Sequence, residues 1–219
     1  EGIDMLEWND FILGDSFNLM QEIEPNSVDL IFTSVPDMND LGIKDITEYE
    51  DFISLAMVRF EQLISDTGFV AMCQTDRKIG GRVYPKHSVI TQYMIQLGFV
   101  LKDYKIMVVN SIDSKDQYKF PYQHLCIFTK KGTITRTSEW LQHILVYKMN
   151  KATGPYFGWN ENFVSLVVEH LSKENDKVLD PFSGTGIVPY VARSLKRQYL
   201  GIEIDEEIYK TSIMKTALW

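Results

Sequence analysis

The sequence predicts an α/β fold built on a mostly parallel sheet covered by helices on both faces. Apolar runs of strand length alternate with stretches of helical apolar spacing along most of the chain. VDLIFTS (28–34) reads as a central parallel strand, apolar on both faces. FVLKDYKIMVV (99–109) and HLCIFTK (124–130), separated by the polar NSIDSKDQYKFPYQ (110–123), read as an antiparallel hairpin at one edge.

The remaining elements follow in order. FILG (11–14) is a short strand and 16–23 a short helix. TEYEDFISLAMVRFEQLI (47–64) places Phe52, Leu55, Ala56, Val58 and Leu63 at helical spacing, with Thr47 as N-cap and Glu50 at the capping-box position. GFVAMCQ (68–74) is the next strand and 85–97 the next helix. Residues 132–160 are irregular apart from a short helix near 138–145. A helix at 161–172, the strand KVLD (177–180), a helix at 185–197, the strand QYLGIE (198–203) and a helix from 205 complete the chain. No repeat or low-complexity linker divides it, so residues 1–219 are expected to form a single domain.

Composition narrows the class. Apolar content of 45% and charged content of 24% are ordinary for a globular protein. No apolar run reaches the roughly 18 residues of a membrane span, and EGIDMLEWND has no signal-peptide core, so a cytoplasmic protein is expected, or a nuclear or viral one acting inside an infected cell. Cys73 and Cys126 lie in apolar strand-like runs and read as reduced, buried thiols. The four histidines are scattered, without cysteine or acidic partners at ligand spacing, so no metal site is expected.

Charge is segregated. Residues 1–68 carry 16 acids and 2 bases, 69–160 carry 5 acids and 13 bases, and 161–219 carry 9 acids and 7 bases, within a total of −8. A basic central third is the footprint of a face that meets phosphates. Arg77, Lys78, Arg82 and Lys86 cluster in DRKIGGRVYPKH (76–87), which reads as a phosphate-contacting loop or a solvated one. Lys115 and Lys119 interleave with Tyr118, Phe120 and Tyr122, which suits an unpaired strand or a packed hairpin tip.

The most specific pattern is DPFSGTG (180–186), between a strand and a helix. Gly184 and Gly186 permit a tight turn and close ligand approach, and the helix start offers free N–H groups. Glu203 follows Asp180 at the end of the next strand, near the spacing at which an acid accepts the ribose hydroxyls of an adenosine cofactor.

DPFSGTG with YLGIEID, together with FILGDSFNLMQEIEPNSVDLIFTSVPD, resembles the DNA amino-methyltransferases, which act on adenine N6 or cytosine N4. The order resembles the permuted subgroup, with the catalytic strand first and the cofactor turn last. The resemblance implies a Rossmann-like fold of seven strands in the order 11–14, 198–203, 177–180, 28–34, 69–74, then the hairpin. It implies S-adenosylmethionine (SAM) as cofactor. Asp180, Phe182, Gly184 and Gly186 would hold it, with Glu203 at its ribose and Asp15 near its adenine. It implies a nucleic-acid substrate, DNA before RNA. Recognition would fall to small segments within 110–160, with loose specificity or help from a homodimer mate or partner subunit.

TSVPD stands where that family carries a TSPPY-like loop. In the family, the first side chain and the next carbonyl accept from the target amine, and the final aromatic stacks on the base. Here Ser34 keeps an acceptor and Pro36 the turn, but Val35 replaces a proline and Asp37 the aromatic. That exchange removes a stacking face worth roughly 1–3 kcal/mol. Three outcomes stay open. Another aromatic from GPYFGW (Tyr156, Phe157 or Trp159) can stack on the base. Asp37 can serve another base or a modified one. Or the protein can be an inactive subunit that binds SAM or nucleic acid.

Overall fold

The computed structural model describes residues 6–109, 120–130, 143–147, 150–151 and 157–215. In chain order these form β1 (Asp10–Leu13), α1 (Ser16–Leu19), a 3-10 turn at Met20–Glu22, β2 (Val28–Thr33), α2 (Ile46–Leu63) and β3 (Ile64–Gln74). Then come β4 (Arg77–Ile79), β5 (Arg82–Tyr84), α3 (Lys86–Gln96), β6 (Phe99–Val109), β7 (Tyr122–Lys130), β8 (Ile144–Tyr147), β9 (Asn150–Lys151) and β10 (Phe157–Gly158). α4 (Glu161–Leu171), β11 (Lys177–Asp180), α5 (Ile187–Ser194), β12 (Gln198–Glu203) and α6 (Glu206–Lys215) follow.

The main sheet runs β1-β12-β11-β2-β3-β7-β6-β8. The first five strands are parallel to one another. β7 is antiparallel to both β3 and β6. The order of the seven expected strands therefore stands, but the sheet has an eighth, β8, parallel to β6. Ile144 and Leu145 belong to β8 rather than to the expected helix near 138–145, whose residues 138–142 lie outside the described residues. Ile144 and Val146 are exposed and Leu145 is buried, the period-two pattern of an edge strand.

Each central strand is buried on both faces. On one side α2 and α3 set Ile53, Phe60, Ile90 and Met94 against Ile31, Val70 and Met72. On the other, α4 and α5 set Phe163, Val167, Val188 and Val191 against Leu30, Phe32 and Ala71. Each large side chain taken fully out of water stabilises the fold by about 1.5–3 kcal/mol. Between β11 and β2 the strand order reverses, and at such a switch the carboxyl ends of the strands diverge into a crevice. No helix among the described residues is long and apolar enough to cross a membrane.

Helix α2 starts one residue earlier than its apolar spacing predicts. Asp45, not Thr47, is the N-cap: its carboxylate accepts from Thr47 N at 2.9 Å and Glu48 N at 3.1 Å. Glu50 does not close a capping box; its carboxylate accepts instead from the Tyr84 hydroxyl at 3.4 Å. Asp45→Ala is expected to cost about 1 kcal/mol in urea unfolding. Thr47→Ala is expected to stay within about 0.5 kcal/mol of the parent.

Candidate active site

The glycine turn links β11 to α5. Gly184 (φ 51°) and Gly186 (φ 74°) both lie in the left-handed region, where an L-residue costs about 1–2 kcal/mol. Gly186 caps α5 without a side-chain bond, so the first N–H groups of this helix have no side-chain partner at the cap. Asp180, at the end of β11, is buried, and its Oδ1 accepts from Thr33 Oγ1 at 2.7 Å and from Phe182 N at 3.2 Å. Burial pushes its carboxyl up to about 7, against these hydrogen bonds and with the Glu203 charge adding to the rise.

Glu203 closes β12. Its Oε2 accepts from Gly184 N at 2.7 Å and its Oε1 from Asp205 N at 2.8 Å. Burial raises its carboxyl above the usual value, opposed by the two N–H bonds. Helix α6 is capped by Asp205, whose carboxylate accepts from Glu207 N and Ile208 N at 2.9 Å. Asp15, which the resemblance sets near the cofactor adenine, lies at the start of α1. Its exposed carboxylate caps α1, accepting from Phe17 N and Asn18 N, while the neighbouring Ser16 lines the cleft.

Two cavities meet over this turn. One, of about 500 Å³, is bounded by Ser16, Ser34, Phe182, Gly184, Glu203 and Ile208. The other, of about 510 Å³, is bounded by Ser34, Asp37, Gln123, Trp159, Asp180 and Thr185. Ser34, Asp37, Phe182 and Gly184 border both. Each volume lies in the range of small-molecule sites. The loop after β2 and the turn after β11 are therefore two walls of one crevice.

The loop is held from beneath. Lys86, at the start of α3, is 1% exposed. Its ammonium donates to the Val35 carbonyl at 2.5 Å and to Asp37 Oδ1 at 2.8 Å, with the Pro36 carbonyl at 3.4 Å. Tyr49 of α2 also donates to the Pro36 carbonyl, at 2.7 Å. Arg77, on β4, forms an ion pair with Asp37 Oδ2. Burial alone would raise the Asp37 carboxyl, but the charges and hydrogen bonds of Lys86 and Arg77 outweigh it and hold it below the usual carboxylate value. Burial pulls the Lys86 ammonium down, against the opposing pull of Asp37.

Several sequence expectations change here. Lys86 is not a surface phosphate contact, because it is enclosed, and Arg77 is committed to Asp37. DRKIGGRVYPKH forms the hairpin β4–β5, on which Lys78 and Arg82 are exposed. Lys105 is also buried, its ammonium 2.8 Å from Asp103 Oδ2, so part of the central positive charge is internal. Lys115, Lys119 and Tyr156 lie outside the described residues, as does the Phe157 side chain.

Trp159 does reach the site. One ring face stacks on Phe32, with centroids 4.9 Å apart, and its Nε1 donates to Gln123 Oε1 at 3.1 Å. Gln123 is a site residue with no sequence signal; only the β3–β7 pairing brings it to the crevice. Both cysteines are buried, which pushes their thiols up, Cys126 to about 12 and Cys73 well above its ordinary value. The histidines are not all scattered: His87 and His124 converge on Asp76.

Replacing one member of a buried ion pair leaves the other uncompensated. Lys86→Met is expected to destabilise the protein by about 3–5 kcal/mol in urea unfolding. Adding Asp37→Leu to that variant is expected to recover part of the loss, a non-additivity that independent sites would not show.

Comparison with known proteins agrees with this fold. The family model N6_N4_Mtase, described as DNA methylase, matches residues 158–215, from β10 into α6. The Type II methyltransferase M2.LlaDCHI of Lactococcus lactis subsp. cremoris is 23% identical over 90% of this chain and 84% of its own. Among solved structures, the PvuII DNA methyltransferase (cytosine-N4-specific) superposes with a TM-score of 0.81 at 16% identity, over 97% of this chain and 87% of that one. TTHA0409 of Thermus thermophilus, complexed with S-adenosyl-L-methionine, gives 0.78 at 19% identity, over 94% and 92%. With its loop segment ahead of its glycine turn, the chain is similar to DNA methyltransferases in sequence and shares the fold of their solved structures.

Proposed function

We propose that the protein methylates an exocyclic amine of a DNA base, cytosine N4 or adenine N6, using SAM. The observation that carries this reading is the shared crevice in which Ser34 and Asp37 face Phe182 and Gly184. SAM, when bound, supplies an electrophilic methyl group. The residues present fit it. Glu203 would take the ribose hydroxyls, Phe182 would pack against the adenosyl portion, and the backbone at Gly184–Gly186 with the start of α5 would take the carboxylate. Asp180, a buried carboxyl with a labile proton, would meet the amino group.

The second cavity suits a base taken out of the duplex. An amine nitrogen that gains a carbon carries positive charge until it loses a proton. The family loop meets it with a side-chain oxygen and a carbonyl. Here Lys86 draws on the Val35 carbonyl, which weakens it as an acceptor. Ser34 is the remaining hydroxyl acceptor, and Asp37 adds a carboxylate kept ionised by Arg77 and Lys86. A fixed negative charge beside a developing cation is electrostatic stabilisation of the kind that dominates many active sites. Trp159, held edge-on to Phe163 and stacked on Phe32, supplies an aromatic wall in place of the missing loop aromatic. This favours a working, altered pocket over an inactive subunit.

In this reading the chain is a single cytoplasmic domain of a restriction-modification system. Segments within 110–160 read the DNA, and Lys78, Arg82, Lys115 and Lys119 contact phosphates. Transfer of labelled methyl from SAM to DNA, followed by nucleoside mass spectrometry, tests the proposal. N4-methylcytosine or N6-methyladenine is expected, and background transfer despite SAM binding would overturn it. Asp37→Asn is expected to lower transfer about 10²-fold while leaving SAM affinity within about twofold, because Glu203, Phe182 and the glycine turn, not Asp37, are the groups assigned to the cofactor.

The Asp180 proton gives a pH dependence. SAM binding that needs the ionised carboxylate weakens below about 7, so affinity by calorimetry is expected to be about tenfold lower at pH 6 than at pH 8. Asp180→Asn is expected to flatten that profile. The unliganded fold shows the opposite sign. Its carboxyl rises from 3.8 to about 7 on folding, so this group's stabilisation is complete below 3.8 and is lost as pH rises through about 7.

A further inference from the structure

Beside the crevice lies a second polar cluster that methyl transfer does not use. Asp76 follows β3, His87 lies in the first turn of α3, and His124 lies on β7. His87 Nδ1 is 2.7 Å from Asp76 Oδ1, and His124 Nε2 is 3.4 Å from Asp76 Oδ2. The imidazoles stack, with centroids 3.7 Å apart and planes 12° apart. We propose that Asp76, His87 and His124 form a binding site for a divalent transition-metal ion of the zinc class.

Three observations carry this. First, one donor atom from each residue lies within 4.8 Å of the others. Donors bound at about 2 Å to one ion lie about 3–4 Å apart, so closing the set draws the donors together by about an ångström and tilts the stacked imidazoles until their in-plane lone pairs converge. Two imidazoles and one carboxylate are a donor set suited to zinc and its neighbours. Second, His124 Nε2 is buried without a hydrogen bond, and so are both polar atoms of Gln74. Gln74 is paired with His124 in the β3–β7 register, so the two side chains share a face of the sheet. Buried polar atoms are costly to leave unmet, and an ion with an open coordination position would meet those of His124 and Gln74. Third, the Tyr104 hydroxyl bonds His124 Nδ1. With the phenol oxygen accepting from Nδ1–H, the Nε2 lone pair is left for the ion, as outer partners of ligating histidines commonly arrange.

The site would act on the crevice through the backbone. Asp76 immediately precedes Arg77, and His87 immediately follows Lys86. Those neighbours are the two cations that hold Asp37. An ion bound here would tie the root of the β4–β5 hairpin to the start of α3 and so fix the spacing of both Asp37 partners. Asp76, His87 and His124 are positioning residues, not catalytic ones.

The test uses the full chain, stripped with chelator and titrated with Zn²⁺ alone by calorimetry, with Co²⁺ absorption as a spectroscopic readout. One equivalent of Zn²⁺ is expected, with a rise in Tm and the visible bands of low-symmetry Co²⁺. Asp76→Asn, His87→Ala and His124→Ala are each expected to weaken binding more than tenfold. Tyr104→Phe, at an exposed position that the fold tolerates more readily, is expected to weaken it about tenfold. His170→Ala, remote from the cluster, is expected to bind like the parent. SAM binding by each variant reports whether it is folded. No Zn²⁺ uptake by the parent, or equal uptake by the Asp76, His124 and Tyr104 variants, would overturn the proposal.

Discussion

The crevice depends on the pairing of β2 with β11. Leu30 and Ile31 lie beside Val178 and Leu179, so Thr33 and Asp180, 147 positions apart in the chain, end side by side. The hydrogen bond from Thr33 to Asp180 closes that seam at the point where the strands diverge. Because parallel strands leave their carboxyl ends together, the loop after one and the turn after the other must face each other. The walls of the crevice are placed by that fact.

A second layer of support lies under the loop. Its residues are held less by their own stiffness than by a buried ammonium that bonds two carbonyls and a carboxylate. A diproline loop restricts its backbone covalently. Here Val35 lacks that restriction, and Lys86, Tyr49 and Arg77 restrict the loop from three elements instead. The acid at position 37 then makes physical sense. A lone carboxylate in a half-buried pocket would be driven toward protonation, but between two cations it stays charged.

The polar residues at this end of the sheet divide between its two faces. Gln123 and Trp159 belong to the side of α4 and α5, facing the base cavity. Asp76, His87 and His124 gather where α3 packs. Alternation along β7 sends neighbouring residues to opposite faces, so Gln123 and His124, adjacent in sequence, serve different sites.

Much of the architecture was legible in the chain because it rests on local pattern. Strand bounds at 99–109, 177–180 and 198–203 follow from apolar runs and turn residues, and the left-handed glycines of DPFSGTG follow from the strand-turn-helix context. The family resemblance added the strand order. Asp45 escaped notice because capping is decided by where the backbone leaves the helix, not by apolar spacing. β8 escaped notice because so short a run carries too little periodicity to tell an edge strand from a helix end. What the sequence by itself determined was the sheet, the glycine turn, the acid at the end of β12 and the presence of Ser34 and Asp37 at the crevice. Tertiary structure alone decided what those groups experience. It turned Lys86 from an apparent surface base into an internal strut, gave Asp37 two counter-charges, and pushed the Asp180 carboxyl toward neutrality. It also joined two histidines from separate elements to one aspartate. The physical reason is that charge, proton affinity and ligand sets depend on distances and burial through space, and these are established only when separate strands and helices pack.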